Sequence, residues 1–189
     1  MKIEYEATFT NIDKEEIRGR LRQAGASLIK PEFLQKRAVF NLPDNDSNSW
    51  LRVRDEGDKI TMSLKRVDGG SIQNQKETCF TVSDFEEAKE FLQLLGCPYK
   101  SYQETKREIW LLGEAEISLD EWPYLEPFVE IEAQDEASVK AAAQRLGFNY
   151  EDAYFGAVDV LYSKKYACPL ELINQRTPRI TFEDPNPFL

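Results

Sequence analysis

Hydrophobic and polar residues alternate with a period of two over much of the chain, which is typical of β-strands that bury one face. The alternating segments predict eight strands, at residues 2–10, 33–41, 50–55, 59–66, 75–82, 103–112, 115–121 and 127–134. Glycines such as Gly57 and Gly113 stand between neighbouring segments. We therefore expect antiparallel hairpins.

Helical periodicity is restricted to residues 13–25, 84–95 and 135–146, with a further short helix predicted at 151–163. Asp13 and Asp84 stand where an N-cap is expected. A single antiparallel sheet of about eight strands tends to close on itself. We predict an α+β fold, a closed eight-stranded antiparallel β-barrel with helices packed outside. This domain is placed at residues 1–166, and the proline-rich tail at 167–189 is expected to be irregular.

The strands carry their charges on one face, in doublets of like sign. The acidic doublets are Glu4/Glu6 and Glu130/Glu132, and the basic ones are Arg52/Arg54, with Lys65 on the following strand. A solvated sheet face is one interpretation, because half-buried antiparallel sheets alternate in this way. A solvated face usually mixes its signs, however, and the helices are needed to cover the apolar face. We therefore expect the charged faces to point inward and line a lumen.

Composition limits the chemistry that such a lumen can perform. The chain contains no histidine, which excludes Ser-His-Asp and Cys-His mechanisms and leaves oxygen ligands for any metal. A net charge of −10 argues against general binding of nucleic acid or of an anionic membrane surface. A small polyanion remains compatible, provided that the basic residues are gathered in one place.

The cellular compartment is indicated only by features that the sequence lacks. The three cysteines are far apart and follow no metal-ligand spacing, so we expect reduced thiols. No apolar run is long enough for a transmembrane helix, and the beginning of the chain does not read as a signal peptide. We expect a cytoplasmic protein. A homodimer is compatible with the sequence, although no residue indicates one.

Paired carboxylates and clustered bases together favour polyphosphate chemistry. Carboxylates two residues apart on a strand can share a hard cation such as Mg²⁺ or Mn²⁺. Arginine matches phosphate oxygens in bidentate geometry. A metal and basic residues neutralise both a polyphosphate and the charge that develops when it is cleaved. A carboxylate could activate the attacking water in place of histidine.

Five short motifs occur in a fixed order: Glu4-Tyr5-Glu6, Leu51-Arg52-Val53-Arg54, Ser63-Leu64-Lys65, Leu119-Asp120 and Glu130-Ile131-Glu132. As an ordered set they resemble the CYTH family of triphosphate tunnel metalloenzymes. That family includes class IV adenylyl cyclases, thiamine triphosphatases and inorganic triphosphatases. The resemblance covers residues 1–132, and the segment from Tyr154 to Tyr166 is also similar.

The resemblance implies an eight-stranded tunnel and a role for each matching residue. The implied metal ligands are Glu4, Glu6, Asp120, Glu130 and Glu132. The implied substrate-binding residues are Arg37, Arg52, Arg54, Lys65, Glu77 and Arg107, and the implied catalytic residues are Glu4, Glu6, Lys65 and Arg107. The implied cofactor is Mg²⁺ or Mn²⁺, and the implied partner is a small-molecule triphosphate.

Two departures from the family pattern concern positive charge. Thr8 replaces the signature lysine of the first strand, which removes one phosphate or catalytic contact. Arg37 stands where family members often have aspartate and, if it points inward, could supply part of the missing charge. Lys76, Lys106 and Arg66 are out of phase with the inward positions, so we expect them to face solvent.

The three tryptophans, Trp50, Trp110 and Trp122, are expected in core or rim packing.

The predicted function is metal-dependent hydrolysis of a triphosphate: inorganic tripolyphosphate, thiamine triphosphate or a nucleoside triphosphate. Two alternatives remain open. One is a class IV-type adenylyl cyclase, which needs an adenine pocket that the sequence does not locate. The other is a non-catalytic module that binds polyphosphate or nucleotide, which the replacement of the signature lysine by Thr8 favours.

Overall fold

Long antiparallel strands dominate the computed structural model, which describes residues 1–44 and 46–189. The strands are β1 (Lys2–Ile3), β2 (Tyr5–Phe9), β3 (Ser27–Asn41), β4 (Ser49–Asp55), β5 (Ile60–Val67), β6 (Gln75–Val82), β7 (Tyr99–Leu112), β8 (Ala115–Glu121), β9 (Phe128–Ala133) and β10 (Arg179–Ile180). The helices are α1 (Lys14–Gln23), α2 (Phe85–Leu94), α3 (Glu136–Arg145), α4 (Asp159–Tyr166) and α5 (Leu170–Gln175). Short 3₁₀ helices lie at Ile72–Asn74 and Tyr150–Asp152.

The strands form a nearly closed barrel. Hydrogen-bonded neighbours follow the order β1-β6-β5-β4-β3-β7-β8-β9-β2, and the pairs along this path are antiparallel. The two ends of the path, β1 and β2, are consecutive in the chain and separated only by Glu4. Taken as one interrupted strand, they join the two edges of the sheet. The predicted eight-stranded barrel is confirmed, with its first strand split at Glu4.

The apolar core lies outside the barrel, between its outer face and the helices. Helices α1 and α3 cover one side, where Ile17 and Leu21 pack with Phe9, Ile117 and other apolar residues of β2, β7, β8 and β9. Helix α2 covers the other side, where Ala88 and Leu92 pack against residues of β3, β4 and β5. This arrangement confirms the prediction that helices pack outside, and it leaves the charged strand faces directed inward.

The three helices that cover the barrel begin at the residues that their capping chemistry dictates. The side chain of Asp13 accepts a hydrogen bond of 2.8 Å from the backbone N–H of Glu16, and Asp84 caps α2 in the same way. Asp135 performs the same role for α3. Each cap satisfies an N–H that has no partner within the helix. In residues 1–44 and 46–189, each helix is too short or too polar to cross a membrane.

Two strands are longer than predicted, and one predicted helix is wrong. Strands β3 and β7 extend beyond the predicted 33–41 and 103–112 because they pair with each other over most of their length. The helix predicted at 151–163 is replaced by a 3₁₀ turn and by α4. Between these, the backbone of Tyr154 exchanges hydrogen bonds of 2.9 Å with Thr8, and Gly156 adopts a φ of +110°. The pairing and the left-handed glycine both interrupt a helix.

The C-terminal tail is more ordered than the irregular segment expected for 167–189. It contains α5, and β10 pairs in parallel with β7. Together with α4, it builds a third apolar cluster at one end of the barrel, in which Ile173, Ile180 and Phe188 pack with Trp122 and Tyr162. The apolar residues of the tail explain this order, because they cover side chains at the barrel end that would otherwise face water. We call α4, α5 and β10 the C-terminal cap.

The packing of the C-terminal cap predicts that substituting its buried residues lowers the stability of the protein, whereas substituting its exposed residues does not. Ile180 is 1% exposed, whereas Leu189 in the same tail is 97% exposed. We expect Ile180→Ala to lower the free energy of unfolding by roughly 2–5 kcal/mol, because it removes buried methyl groups and leaves a cavity. Thermal unfolding measures the change, with Leu189→Ala as the control. Equal melting temperatures for the two variants would show that the cap does not pack on the barrel in solution.

Candidate functional site

The barrel encloses a cavity of about 1070 Å³ that is lined by charged side chains. Its basic residues are Arg37, Arg52, Arg54, Lys59, Lys65, Lys100 and Arg107. Its acidic residues include Glu4, Glu6, Glu56, Glu77, Glu116, Glu130 and Glu132. The inward direction follows from strand alternation, because the intervening residues, such as Val53 and Ile131, are completely buried in the outer core. The predicted charged lumen is therefore present.

Strand register brings three acids side by side at one part of the wall. Glu6 on β2 lies directly opposite Glu132 on β9, and Glu132 lies opposite Glu116 on β8. Residues opposite each other on neighbouring strands have Cβ atoms about 4.5–5.5 Å apart, so these carboxylates repel one another unless a cation lies near. We call Glu6, Glu116 and Glu132 the acidic row.

Two of the bases each contact two carboxylates. Arg107 donates from Nε to Asp120 Oδ1 at 2.7 Å and from Nη2 to Glu130 Oε2 at 2.6 Å. Lys65 Nζ lies 2.9 Å from Glu4 Oε2 and 3.8 Å from Glu6 Oε1. The Glu4 oxygen nevertheless accepts no well-aligned hydrogen bond, so the Lys65 contact is an ion pair of poor hydrogen-bond geometry.

Two further bases, both on strand β4, are each paired with a carboxylate. Arg52 Nη2 donates to Glu77 Oε1 at 2.5 Å, and Arg54 Nε lies 3.6 Å from Glu56 Oε1. These pairs, with those of Lys65 and Arg107, neutralise much of the buried charge. A buried charge that lost its partner would be strongly destabilising.

Burial and mutual repulsion raise the pKa of several carboxyl groups in the cavity. Burial raises the pKa of Glu4 to about 8, with a further contribution from neighbouring Glu77, while Lys65 opposes the rise. Burial raises the pKa of Glu132 to about 7, and repulsion from Glu6 and Glu116 adds to it.

The pKa values of Glu6, Glu130 and Glu77 are also shifted by their surroundings. Burial raises the pKa of Glu6, and burial together with the adjacent Asp120 raises that of Glu130. Although burial acts to raise the pKa of Glu77, the Arg52 charge holds it well below its usual range. Some carboxyl groups of the cavity are thus protonated near neutral pH and others are ionised.

The donor chemistry of the cavity fits a hard divalent cation. Glu4, Glu6, Glu130 and Glu132 offer only oxygen ligands, which Mg²⁺ and Mn²⁺ prefer. Among the described residues, no three acidic or cysteine side chains are arranged to surround one metal ion. Lys65 and Arg107 instead contact Glu4, Glu6 and Glu130.

The structure brings all but one of the predicted site residues together at the cavity wall. Ten of them line the cavity: Glu4, Glu6, Arg37, Arg52, Arg54, Lys65, Glu77, Arg107, Glu130 and Glu132. Asp120 does not line it, since its side chain is completely buried behind Arg107. Lys76, Lys106 and Arg66 are absent from the cavity wall, as their phase predicts. The roles of all these residues stay predictions.

Thr8 is buried, and its position supplies no charge to the site. It lies opposite Glu130 in the β2–β9 pair, and its backbone is fixed by the bridge to Tyr154. The position of the family's signature lysine is thus filled by a short neutral side chain beside an acid.

Several cavity residues were not predicted as site residues. Glu116 shares the alternating face of Ser118 and Asp120, so the sequence carried the signal for it. Trp122 was assigned to packing, and although it does pack with Tyr162 it also lines the cavity. The lining residues of the cap, such as Asn174, carry no motif and are brought there only by tertiary packing.

The raised pKa values predict how stability depends on pH. The folded protein holds protons on Glu4 and Glu132 up to pKa values of about 8 and about 7, whereas the reference value is 4.5. Their stabilising contribution is complete below pH 4.5 and is lost as the pH rises through 7 and 8. We expect the melting temperature of the metal-free protein to fall between about pH 5.5 and about pH 8.5.

Neutral isosteres test that pH dependence. In Glu4→Gln and Glu132→Gln, the fall in melting temperature should be smaller, because the amide does not titrate. Glu90→Gln, at an exposed position of α2, is the matched control. Identical pH profiles for all four proteins, measured by thermal unfolding with a chelator present, would refute the pKa assignment.

Comparison with known proteins is consistent with this architecture. A family model of the CYTH domain matches residues 2–159. The search of curated proteins found no match. A Pyrococcus horikoshii protein is 25% identical, with a TM-score of 0.67, covering 81% of this chain and 94% of its own. A putative adenylate cyclase from Vibrio parahaemolyticus is 16% identical, with a TM-score of 0.71, over 86% and 98%.

A third similar structure is a putative adenylyl cyclase from Hippeastrum that is described as having a dominant triphosphatase activity. It is 16% identical, with a TM-score of 0.55, covering 90% of this chain and 99% of its own. Likenesses at such identities show the fold. The family match extends over most of the chain, from β1 to the first residue of α4. The chain belongs to the CYTH domain family.

Proposed function

We propose that the protein hydrolyses a triphosphate inside the barrel with the help of Mg²⁺ or Mn²⁺. The observation that carries this proposal is the segregated charge of one cavity of about 1070 Å³, with arginines and a lysine on some strands and an acidic row on others. The substrate is inorganic tripolyphosphate, thiamine triphosphate or a nucleoside triphosphate. Family membership supports the same class of substrate.

The basic side chains would bind the phosphate oxygens. Arg52 and Arg54 project into the cavity from β4, with Lys65 on the neighbouring strand β5 and Arg107 on β7, which β3 separates from β4. Guanidinium groups form bidentate, charge-assisted hydrogen bonds with phosphate, so they bind the polyphosphate and fix its direction. They would also stabilise the charge that moves onto the leaving group as a phosphoanhydride bond breaks.

The acidic side chains Glu4, Glu6, Glu130 and Glu132 would hold the divalent cation. When bound, it would neutralise phosphate oxygens and polarise the bond to be cleaved. The carboxyl groups with pKa values near neutrality, Glu4 and Glu132, are suited to accept a proton from water, because a general base works best when its pKa lies near the working pH.

Binding of anion and cation should depend on each other. Lys65 and Arg107 already contact Glu4, Glu6 and Glu130. A polyphosphate that engages these two bases competes with the carboxylates for them. The carboxylates are then left with negative charge that a divalent cation can neutralise. Each ligand therefore favours the other, as reciprocal linkage requires.

The neutral residue Thr8 favours a second candidate, a module that binds polyphosphate without cleaving it. The barrel keeps most of its bases, so binding does not require the missing lysine. Cleavage, however, concentrates extra charge in the transition state, where each missing donor has a large effect. Turnover distinguishes the two candidates.

The test is release of phosphate and pyrophosphate from tripolyphosphate, ATP and thiamine triphosphate, with Mg²⁺ or Mn²⁺ compared against chelator. We expect metal-dependent release of phosphate from at least one substrate. Glu130→Gln should lower the rate by roughly 100-fold or more, since it removes a charged group at the reacting centre. Glu90→Gln on α2 should retain the full rate.

Other outcomes assign other functions. Pyrophosphate released from ATP without free phosphate, with a cyclic nucleotide as the other product, would indicate a cyclase. Tight binding of tripolyphosphate without turnover of any of the three compounds would overturn the hydrolase proposal in favour of the binding module.

Restoring charge at Thr8 tests whether the missing lysine limits catalysis. We expect Thr8→Lys to raise kcat/KM for the preferred triphosphate by about 10-fold or more, since a charge-assisted hydrogen bond is worth about 1.5–3 kcal/mol. Thr8→Met has similar length but no charge, so it separates the effect of size. Equal rates for both variants, in proteins of equal melting temperature, would show that charge at this position does not limit the reaction.

A further inference from the structure

Arg37 differs from the other arginines of the cavity in having no acidic partner. It projects from β3 into the cavity and is only 5% exposed. Arg52, Arg54, Lys65 and Arg107 each lie within 4.0 Å of a carboxylate oxygen. Within residues 1–44 and 46–189, no carboxylate lies within that distance of Arg37. Its positive charge is therefore buried without a counter-ion.

The contacts of Arg37 leave a donor free. Its Nη2 donates both to Gln35 Oε1 and to Thr105 Oγ1, the latter at 2.6 Å. Its guanidinium carbon lies 4.4 Å from the ring centre of Trp122. Arg37 Nε is buried, and in the described part of the chain it has no hydrogen-bond acceptor.

Trp122, on which Arg37 stacks, also has a buried hydrogen-bond donor without an acceptor. Its indole Nε1 is buried and likewise finds no acceptor among the described residues. Both side chains line the cavity. Buried donors without acceptors are rare, and each one calls for an explanation such as an absent ligand or water. Two such donors in adjacent side chains, one of them cationic, match a ligand that is anionic and rich in acceptors.

Neighbouring charges make an isolated Arg37 still less favourable. Burial lowers its pKa well below the usual value, and repulsion from Arg52, Arg107 and Arg54 adds to the effect. A bound anion would relieve both penalties. A residue that only served the fold would gain stability from an acid or an apolar group at this position.

The strand register separates this place from the acids. Along β7, Gln103 lies opposite Arg37, Arg107 lies opposite Asp120, and Leu111 lies opposite Glu116. Arg107 is thus between the Arg37 end and the acidic row. The Arg37 end is also the capped end, since Trp122 packs against Tyr162 of α4 at a ring separation of 6.4 Å.

We propose that Arg37 and Trp122 form an oxyanion subsite at the capped end of the barrel, which receives the terminal phosphate group of the bound polyphosphate. The proposal rests on the proposed function for the identity of the ligand. It assigns a direction to the bound polyphosphate, with its terminal phosphate at Arg37 and an inner phosphate near Arg107 and the acids. Trp122 contributes an N–H and a flat surface that fixes the guanidinium plane.

Metal-free binding of tripolyphosphate tests the subsite. Isothermal titration calorimetry with a chelator present compares the wild type with Arg37→Met and Arg37→Lys. We expect Arg37→Met to weaken binding roughly 10- to 100-fold, and Arg37→Lys to recover part of the loss, because charge returns without the planar fork. Arg66→Met, at an exposed position of β5 next to Lys65, should bind as the wild type does.

Thermal unfolding separates a binding role from a structural one. Without phosphate, Arg37→Met should melt at the same temperature as the wild type or higher, because it removes an unpaired buried charge. Tripolyphosphate should raise the melting temperature of the wild type more than that of the variant. A lower melting temperature for Arg37→Met, combined with unchanged affinity, would identify Arg37 as a structural cation and overturn the subsite.

The titration gives an answer whether or not the protein is a hydrolase. A wild type that binds through Arg37 but turns nothing over keeps the subsite and rejects the proposed function. A wild type that hydrolyses triphosphate, with unchanged affinity in Arg37→Met, rejects the subsite alone. Absence of metal-free binding by the wild type also overturns the subsite.

Discussion

Charge neutralisation inside the barrel is the constraint on which the rest of the structure depends. The inner wall carries bases and acids that water cannot fully hydrate, so they must be paired across strands. Arg107 with Asp120 and Lys65 with Glu4 are such pairs. Because the inner face is polar, the apolar face of every strand must be covered from outside, and α1, α2 and α3 do this.

The same pairs link the stability of the protein to its chemistry. Each contact between a base and a carboxylate must be weakened before a polyphosphate or a cation can take its place. The free energy of binding is therefore reduced by the energy of the contacts that it replaces. In return, the side chains are held near their working positions in the absence of ligand. Arg37 has no such contact to give up, unlike the other arginines of the cavity.

The period-two alternation predicted the strands and most of their bounds, because strand alternation is a local property. The inward direction of the charges was predicted from the like-sign doublets and from the helices that must cover the apolar face. The alternation could not predict the length of β3 and β7, since their extra residues are stabilised by each other. The helix expected at 151–163 was wrong because a backbone bridge between Tyr154 and Thr8 is non-local. For the same reason the sequence indicated which residues line the cavity but not which are paired. The unpaired state of Arg37 and the contribution of Trp122 became visible only in three dimensions.

The interrupted strand β1–β2 has a consequence for the order in which the chain can fold. Its two halves pair with β6 and β9, and β9 ends at Ala133. Strand β2 must therefore wait, with one edge unpaired, until the polypeptide has been synthesised past Ala133. Contacts between segments so distant in sequence make folding slow. A waiting edge strand is also exposed to pairing with other chains. The short length of β1 and the charges at Glu4 and Glu6 limit such mispairing during synthesis, so the acids that are proposed to bind the metal would also protect the nascent chain.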